Sequence, residues 1–151
     1  MAIAVYPGSF NPFTIGHLDV VQAASRMFDK IIICIAVNFE KQNSNNLEKR
    51  KEQVQSILEE YGLLRENNIE VKFTDQLIVQ FCHDNSADFL IKGIRNTIDF
   101  EKEYDQAISN RALSKKLFNQ EIETVWIPAR PEHRHISSTL LRELKNYDVS
   151  L

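Results

Sequence analysis

Glycine is scarce in this chain, with 4 in 151 residues, and none falls into G-x-G-x-x-G or G-x-x-x-x-G-K-[ST]. Both patterns bring backbone against phosphate through glycines at set spacings, so a dinucleotide-type Rossmann fingerprint and a P-loop are argued against. Cysteine is scarcer still: Cys34 and Cys82 lie far apart and form no C-x-x-C pair. They read as buried free thiols in a reducing, cytoplasmic setting. No apolar run approaches the roughly 20 residues that cross a bilayer. The N-terminus lacks the charged-then-apolar form of a signal sequence, so no membrane partner is expected. An excess of basic charge is also missing, since 18 Lys and Arg face 21 Asp and Glu. A broad electrostatic footprint for nucleic acid is thereby excluded. Repeats and low-complexity stretches are absent as well. What remains, 43% apolar and 26% charged, is the make-up of an ordinary globular chain. Its length suits one domain, residues 1–151, with a proper core.

Short apolar runs alternate with amphipathic stretches. Ala2–Tyr6, Ile31–Val37, Ile69–Phe73, Phe89–Ile91 and Thr124–Ile127 read as strands, several apolar on both faces. Leu18, Val21, Ala24, Met27 and Phe28 mark one helical face. Leu47, Val54, Ile57, Leu58 and Tyr61 mark another, behind Asn45 and Asn46 as N-cap candidates. Leu77 to His83 reads as a short helix, with His83 exposed and without a special role. Phe100 to Leu117 reads as a longer helix that buries Tyr104, Ala107, Ile108 and Leu113, and a last helix starts at Ser137 or Ser138. The alternation predicts an α/β fold: a Rossmann-like, five-stranded parallel sheet with helices on both faces. In such folds ligands collect beyond the carboxyl ends of the strands, where the strand order switches.

The densest chemistry lies at Tyr6 to His17, Y-P-G-S-F-N-P-F-T-I-G-H. Two hydroxyls, Ser9 and Thr14, and the imidazole of His17 crowd onto a strand-to-helix turn. Backbone N–H groups and the positive end of a helix dipole converge there, which suits a phosphate. Two prolines shape the turn, and Gly16 allows a ligand close to the backbone.

This string resembles the (H/T)-x-G-H signature of the nucleotidylyltransferase superfamily, here Thr14-Ile15-Gly16-His17. In its fuller form, P-G-[ST]-F-D-P-x-T-x-G-H, it resembles the phosphopantetheine adenylyltransferase family. Members of that family make dephospho-coenzyme A and pyrophosphate from ATP and 4′-phosphopantetheine. Two further strings extend the resemblance over essentially the whole length. Lys92-Gly93-Ile94-Arg95, followed by Asp99-Phe100-Glu101-Lys102-Glu103, is similar to the family's R-G-[LI]-R and D-F-E-x-E. Ile136-Ser137-Ser138-Thr139-Leu140-Leu141-Arg142 is similar to its I-S-S-[ST]-x-[VIL]-[KR].

Taken as residues alone, Lys92 and Arg95 read as solvated cations flanking a turn, and Lys41 as a solvated loop lysine. Ser137 to Thr139 can cap a helix, although one cap needs only one hydroxyl. His133 and His135 form an H-x-H without a third ligand at defined spacing, so no metal ligand set is read. The resemblance implies more. His17 would meet the α-phosphate, with Ser9 orienting the incoming phosphate and Lys41 neutralising the crowded anions. ATP would also meet Phe10, Gly93, Ile94, Arg95, Glu103 and the run His133, Arg134, His135, Ile136, Ser137, Ser138 and Thr139. Lys92 would face the phosphopantetheine phosphate and Ile78 the pantetheine arm. Mg2+ would travel with ATP. The resemblance further implies a homohexamer and coenzyme A as a feedback ligand. Two positions depart from the pattern. Asn11 stands for an aspartate, keeping shape without charge, and Lys92 stands for an arginine, losing the planar fork. The chain also ends at Leu151, sooner after the last helix than family members usually do. The alternatives are a related nucleotidylyltransferase, acting on nicotinate mononucleotide or glycerol 3-phosphate, and a non-catalytic nucleotide or coenzyme A binding protein.

Overall fold

Side chains along a strand point alternately to its two faces, so a strand buried on both sides must be apolar throughout. β1 (Ile3–Gly8) and β2 (Lys30–Ala36) meet that condition and form the centre of the sheet. The computed structural model describes residues 1–37, 44–66, 68–130 and 146. The elements follow as β1, α1 (Ile15–Ser25), β2, α2 (Ser44–Glu60), α3 (Leu63–Glu66), β3 (Ile69–Thr74), α4 (Ile78–Asp84), β4 (Phe89–Ile94), α5 (Thr97–Phe118) and β5 (Glu123–Pro128). All strand pairs are parallel, in the order β3-β2-β1-β4-β5. The fold is thus the expected α/β one, with strand boundaries within a few residues of those read from the sequence. The last helix expected from Ser137 or Ser138 lies outside the described residues.

Alternation sorts the core into two layers. Ala4, Tyr6, Ile31, Ile33 and Ile35 face Leu18, Val21 and Ala24 of α1 and Leu47, Val54 and Leu58 of α2. Ile3, Val5, Ile32 and Cys34 face Val79 and Cys82 of α4, with Leu113 and Phe118 of α5 packed against them. Both thiols are therefore free and buried, as expected, and they share one apolar layer.

Three expectations need correction. Met27 and Tyr61 are 54% and 51% exposed, because α1 and α2 end before them and the helical period no longer applies. Asn45 and Asn46 lie inside the first turn of α2, which begins at Ser44, and are not its N-caps. On α5, Tyr104 and Ile108 are 49% and 45% exposed instead of buried. The side of α5 turned towards the sheet is carried partly by Leu113 and by Ser114, whose hydroxyl donates to the Gln120 carbonyl at 2.6 Å. Phe100, Tyr104 and Ile108, at i, i+4 and i+8, form an apolar stripe that the described chain leaves uncovered.

The strand order places a switch point between β1 and β4. From β1 the chain proceeds to β2 and β3 on one side, while β4 and β5 fall on the other. The segments after β1 and β4 leave the sheet side by side there, opening a crevice.

Candidate functional site

Two cavities open at the switch point. The first, about 350 Å³, lies on the α1 side, with His17, Lys92, Gly93 and Arg95 in its wall. The second, about 640 Å³, is bounded by Ser9, Gln76, Leu77 and Ile78, and by Gln106 and Asn110 of α5. Pro7, Gly8, Lys92 and Glu103 belong to both walls, so the cavities adjoin along that line.

Three of the chain's four glycines line the first cavity: Gly8, Gly16 and Gly93. At Gly93 an added Cβ would lie 3.0 Å from Val20 Cγ2, and at Gly8 2.9 Å from Phe10 Cζ. These are close approaches that a side chain would block. At Gly16 the nearest atom to an added Cβ would be Thr14 Oγ1 at 3.6 Å, an ordinary contact, so a side chain there would not be blocked.

The turn joining β1 to α1 is built by capping and aromatic packing. Thr14 is the N-cap of α1, its oxygen accepting from the His17 N–H at 3.4 Å. In return the Thr14 N–H donates to His17 Nδ1 at 2.9 Å, so the imidazole completes a capping box usually closed by Glu or Gln. The His17 ring stands edge-on to Phe10 at 5.0 Å and lies 5.4 Å from Phe13. Burial, and then the Arg95 cation, hold the His17 imidazole below its ordinary pKa. A neutral imidazole with one N–H is thus presented to the cavity.

The other expected residues differ in which cavity they border. Ser9 is exposed beside the second cavity, and its carbonyl accepts from Arg50 Nη1 at 3.3 Å. Phe10, with φ of 47°, borders the first cavity but buries its ring in the core at 2% exposure. Ile94 closes β4, its carbonyl accepting from the Ala129 N–H at 2.9 Å. Arg95 and Gly93 border the first cavity, Ile78 the second, and Lys92 and Glu103 both. Lys92 Nζ lies 3.6 Å from Glu103 Oε2. Lys41, His133, Arg134, His135, Ile136, Ser137, Ser138 and Thr139 lie outside the described residues. His83 is exposed and stacks on Phe118 with centroids 4.0 Å apart. Among the described residues no group of three or more His, Cys, Asp and Glu gathers as a metal site. Nor, among them, is any helix long and apolar enough to cross a membrane.

Some site residues were missed in the sequence. Tyr6, whose phenol pKa is pushed up by burial, borders the first cavity from inside an apolar strand. Its alternation as a polar-tipped aromatic at the strand end was the available signal. Arg50 is only 8% exposed, yet it sits in a run of charged helical residues that reads as solvated. Gln106 and Asn110 follow Glu103 at i+3 and i+7, a polar stripe of α5 that helical spacing could have found.

A family model described as Cytidylyltransferase-like matches residues 5–144. A phosphopantetheine adenylyltransferase of Clostridium perfringens is 35% identical over 148 residues, covering 98% of this chain and 84% of that protein. One from Cytophaga hutchinsonii is 38% identical over 146 residues, covering 97% and 91% respectively. One from Fusobacterium nucleatum is 37% identical over 151 residues, covering 100% and 87%. Among solved structures, a putative nicotinate-nucleotide adenylyltransferase from Vibrio parahaemolyticus superposes with a TM-score of 0.55 at 17% identity, over 99% of this chain and 84% of that one. That likeness bears on the fold alone, whereas the full-length sequence matches bear on the family. The chain belongs to the phosphopantetheine adenylyltransferase family, within the cytidylyltransferase-like group of nucleotidylyltransferases.

Proposed function

We propose that this chain is a phosphopantetheine adenylyltransferase: it transfers the adenylyl group of ATP to 4′-phosphopantetheine, giving dephospho-coenzyme A and pyrophosphate. The observation that carries the reading is the pair of cavities meeting at Pro7, Gly8, Lys92 and Glu103, with His17 in the wall of the first. A reaction that joins two anionic substrates needs two adjoining pockets with cations near the join. The sequence matches supply the identity of those substrates.

In this reading ATP occupies the first cavity and phosphopantetheine the second. An oxygen of the acceptor phosphate forms a bond to the α-phosphorus of ATP, in line with the bond to the bridging oxygen. That bond breaks, and its electron pair leaves with pyrophosphate. The nucleophile is already an anion, so no base is required and the protein supplies positioning and charge stabilisation. His17 donates to the α-phosphate oxygens, Ser9 orients the acceptor phosphate, and Lys92 holds it. Arg95 takes the phosphates of ATP, and Ile78 lines the pantetheine arm. Lys41 and the run Ser137 to Thr139 complete the phosphate grip, by the family pattern. Glu103 is the only carboxylate bordering the first cavity among the described residues, and it is already paired with Lys92. By the family pattern Mg2+ would enter with ATP, held by the phosphates, and would neutralise their charge.

The uncovered stripe of Phe100, Tyr104 and Ile108 supports a homo-oligomer, which the family pattern makes a hexamer. Two buried free thiols and a biosynthetic reaction support a cytoplasmic location. Coenzyme A contains both halves of the product and, by the family pattern, would occupy the same two cavities as a feedback ligand.

The test is pyrophosphate release from Mg-ATP with 4′-phosphopantetheine, with nicotinate mononucleotide as a parallel acceptor. Release with phosphopantetheine alone is the expected result. Release with nicotinate mononucleotide instead, or with neither while ATP still binds, would overturn it.

A further inference from the structure

An imidazole can donate a hydrogen bond through either ring nitrogen, and the turn before α1 removes that choice for His17. Its Nδ1 accepts from the Thr14 backbone N–H at 2.9 Å and lies 3.1 Å from the Thr14 hydroxyl. A ring nitrogen that accepts from an N–H has its lone pair engaged and carries no proton. The hydroxyl, whose oxygen already accepts from the His17 N–H, has its own proton free to donate to the same Nδ1. The capping box accounts for the hydroxyl oxygen and for the N–H on Nδ1; a hydroxyl proton converging on the same Nδ1 does something a cap does not.

We infer that Thr14 is a positioning residue for His17: its N–H and hydroxyl together hold the imidazole in the Nε2-protonated tautomer, making it a fixed donor towards an anion in the first cavity. The tautomer stands on geometry alone. Its catalytic consequence rests on the adenylyl-transfer reading.

The surroundings favour the same state. Among the described residues, the charged and titratable groups bordering the cavity with the ring are Tyr6 from β1, Lys92 of β4, Arg95 beyond it and Glu103 from α5. Two cations against one carboxylate disfavour an imidazolium, and Arg95 is among the causes that lower the His17 pKa. Protonating Nδ1 would also force it to give up the Thr14 N–H. Phe10 and Phe13 pack against the ring with centroids 5.0 and 5.4 Å away, and a turned imidazole would lose the Thr14 N–H bond.

The test uses 15N-detected imidazole NMR on the ligand-free full chain, then steady-state kinetics. The wild-type His17 is expected to show an unprotonated Nδ1 and a protonated Nε2 in its neutral form. Thr14→Val keeps shape and N–H but deletes the hydroxyl. Its His17 titration midpoint is expected to rise by about half a pH unit or more. Its kcat should fall several-fold with the KM for ATP little changed, and Thr14→Ser should restore both. A protonated Nδ1 or a tautomer mixture in the wild type would overturn the inference. So would a Thr14→Val chain with unchanged midpoint and kcat, since the hydroxyl would then be a helix cap only. Failure of the adenylyl-transfer reading would appear separately, as wild-type protein that releases no pyrophosphate with phosphopantetheine while the NMR result still stands.

Discussion

The ammonium of Lys92 lies 3.6 Å from the carboxylate of Glu103, and the pair stands in the wall shared by the two cavities. Both side chains are partly exposed, at 26% and 29%, so water screens their attraction. Such a pair contributes less than about 1 kcal/mol, and an arriving phosphate can open it. Lysine suits this role because its ammonium is a point charge on a flexible stem.

Lys92→Met should therefore raise the KM for phosphopantetheine about 10-fold or more while leaving the fold intact, given the strength of charge-assisted hydrogen bonds to phosphate. Lys92→Arg should retain acceptor binding. Acceptor-dependent initial rates, with circular dichroism as a check on folding, decide the matter.

Removal of the imidazole should strike turnover harder than nucleotide binding. His17→Ala is expected to lower kcat by about 100-fold to 1,000-fold, the usual loss of a donor aimed at developing charge. Calorimetric ATP affinity should change only a few-fold. Near-normal turnover would remove His17 from the mechanism.

The lowered His17 pKa also has a stability consequence. Below about pH 6.5 the unfolded chain protonates this imidazole before the folded chain does. The unfolded state then holds more protons, so stability falls as pH drops through that window and is independent of this group above it. His17→Gln keeps a capping-box acceptor and removes the titration. Urea unfolding at pH 7.5 and 5.5 should show a smaller acid-side loss in the variant than in the wild type.

Gly93→Ala would place a methyl 3.0 Å from Val20 Cγ2 inside the first cavity. A destabilisation of about 1–3 kcal/mol is expected, with weaker ATP binding. Adding Val20→Ala should relieve the crowding, so chemical denaturation of the double variant should show less than the sum of the two losses.

Burial pushes both Cys34 and Cys82 up to about 12. Neither thiol should react with a disulfide reagent at pH 8 in the native protein, and both should react once it is unfolded in guanidinium. Fast native labelling would contradict the shared apolar layer.

The strands were legible because parallel strands covered on both sides must read as continuous apolar runs, as at Ile31 to Ile35. The strand-to-helix turn was legible because Ser9, Thr14 and His17 belong to one stretch, whose capping box is a local matter of three-residue spacing. The buried face of α5 was not. Helical periodicity records which side is apolar and not which neighbour covers it, so Tyr104 and Ile108 were assigned to a core they do not enter.

The chain's pattern by itself determined the strands, the helices between them other than the short α3, and the side chains that each turn carries. Tertiary structure alone decided that Arg50 would reach the Ser9 carbonyl across 41 positions, and that Lys92 would meet Glu103 at the seam of two cavities. That seam follows from the order β3-β2-β1-β4-β5, which sets the end of β4 beside the end of β1. Strand order depends on how whole layers pack, a non-local free energy that no stretch of local sequence contains.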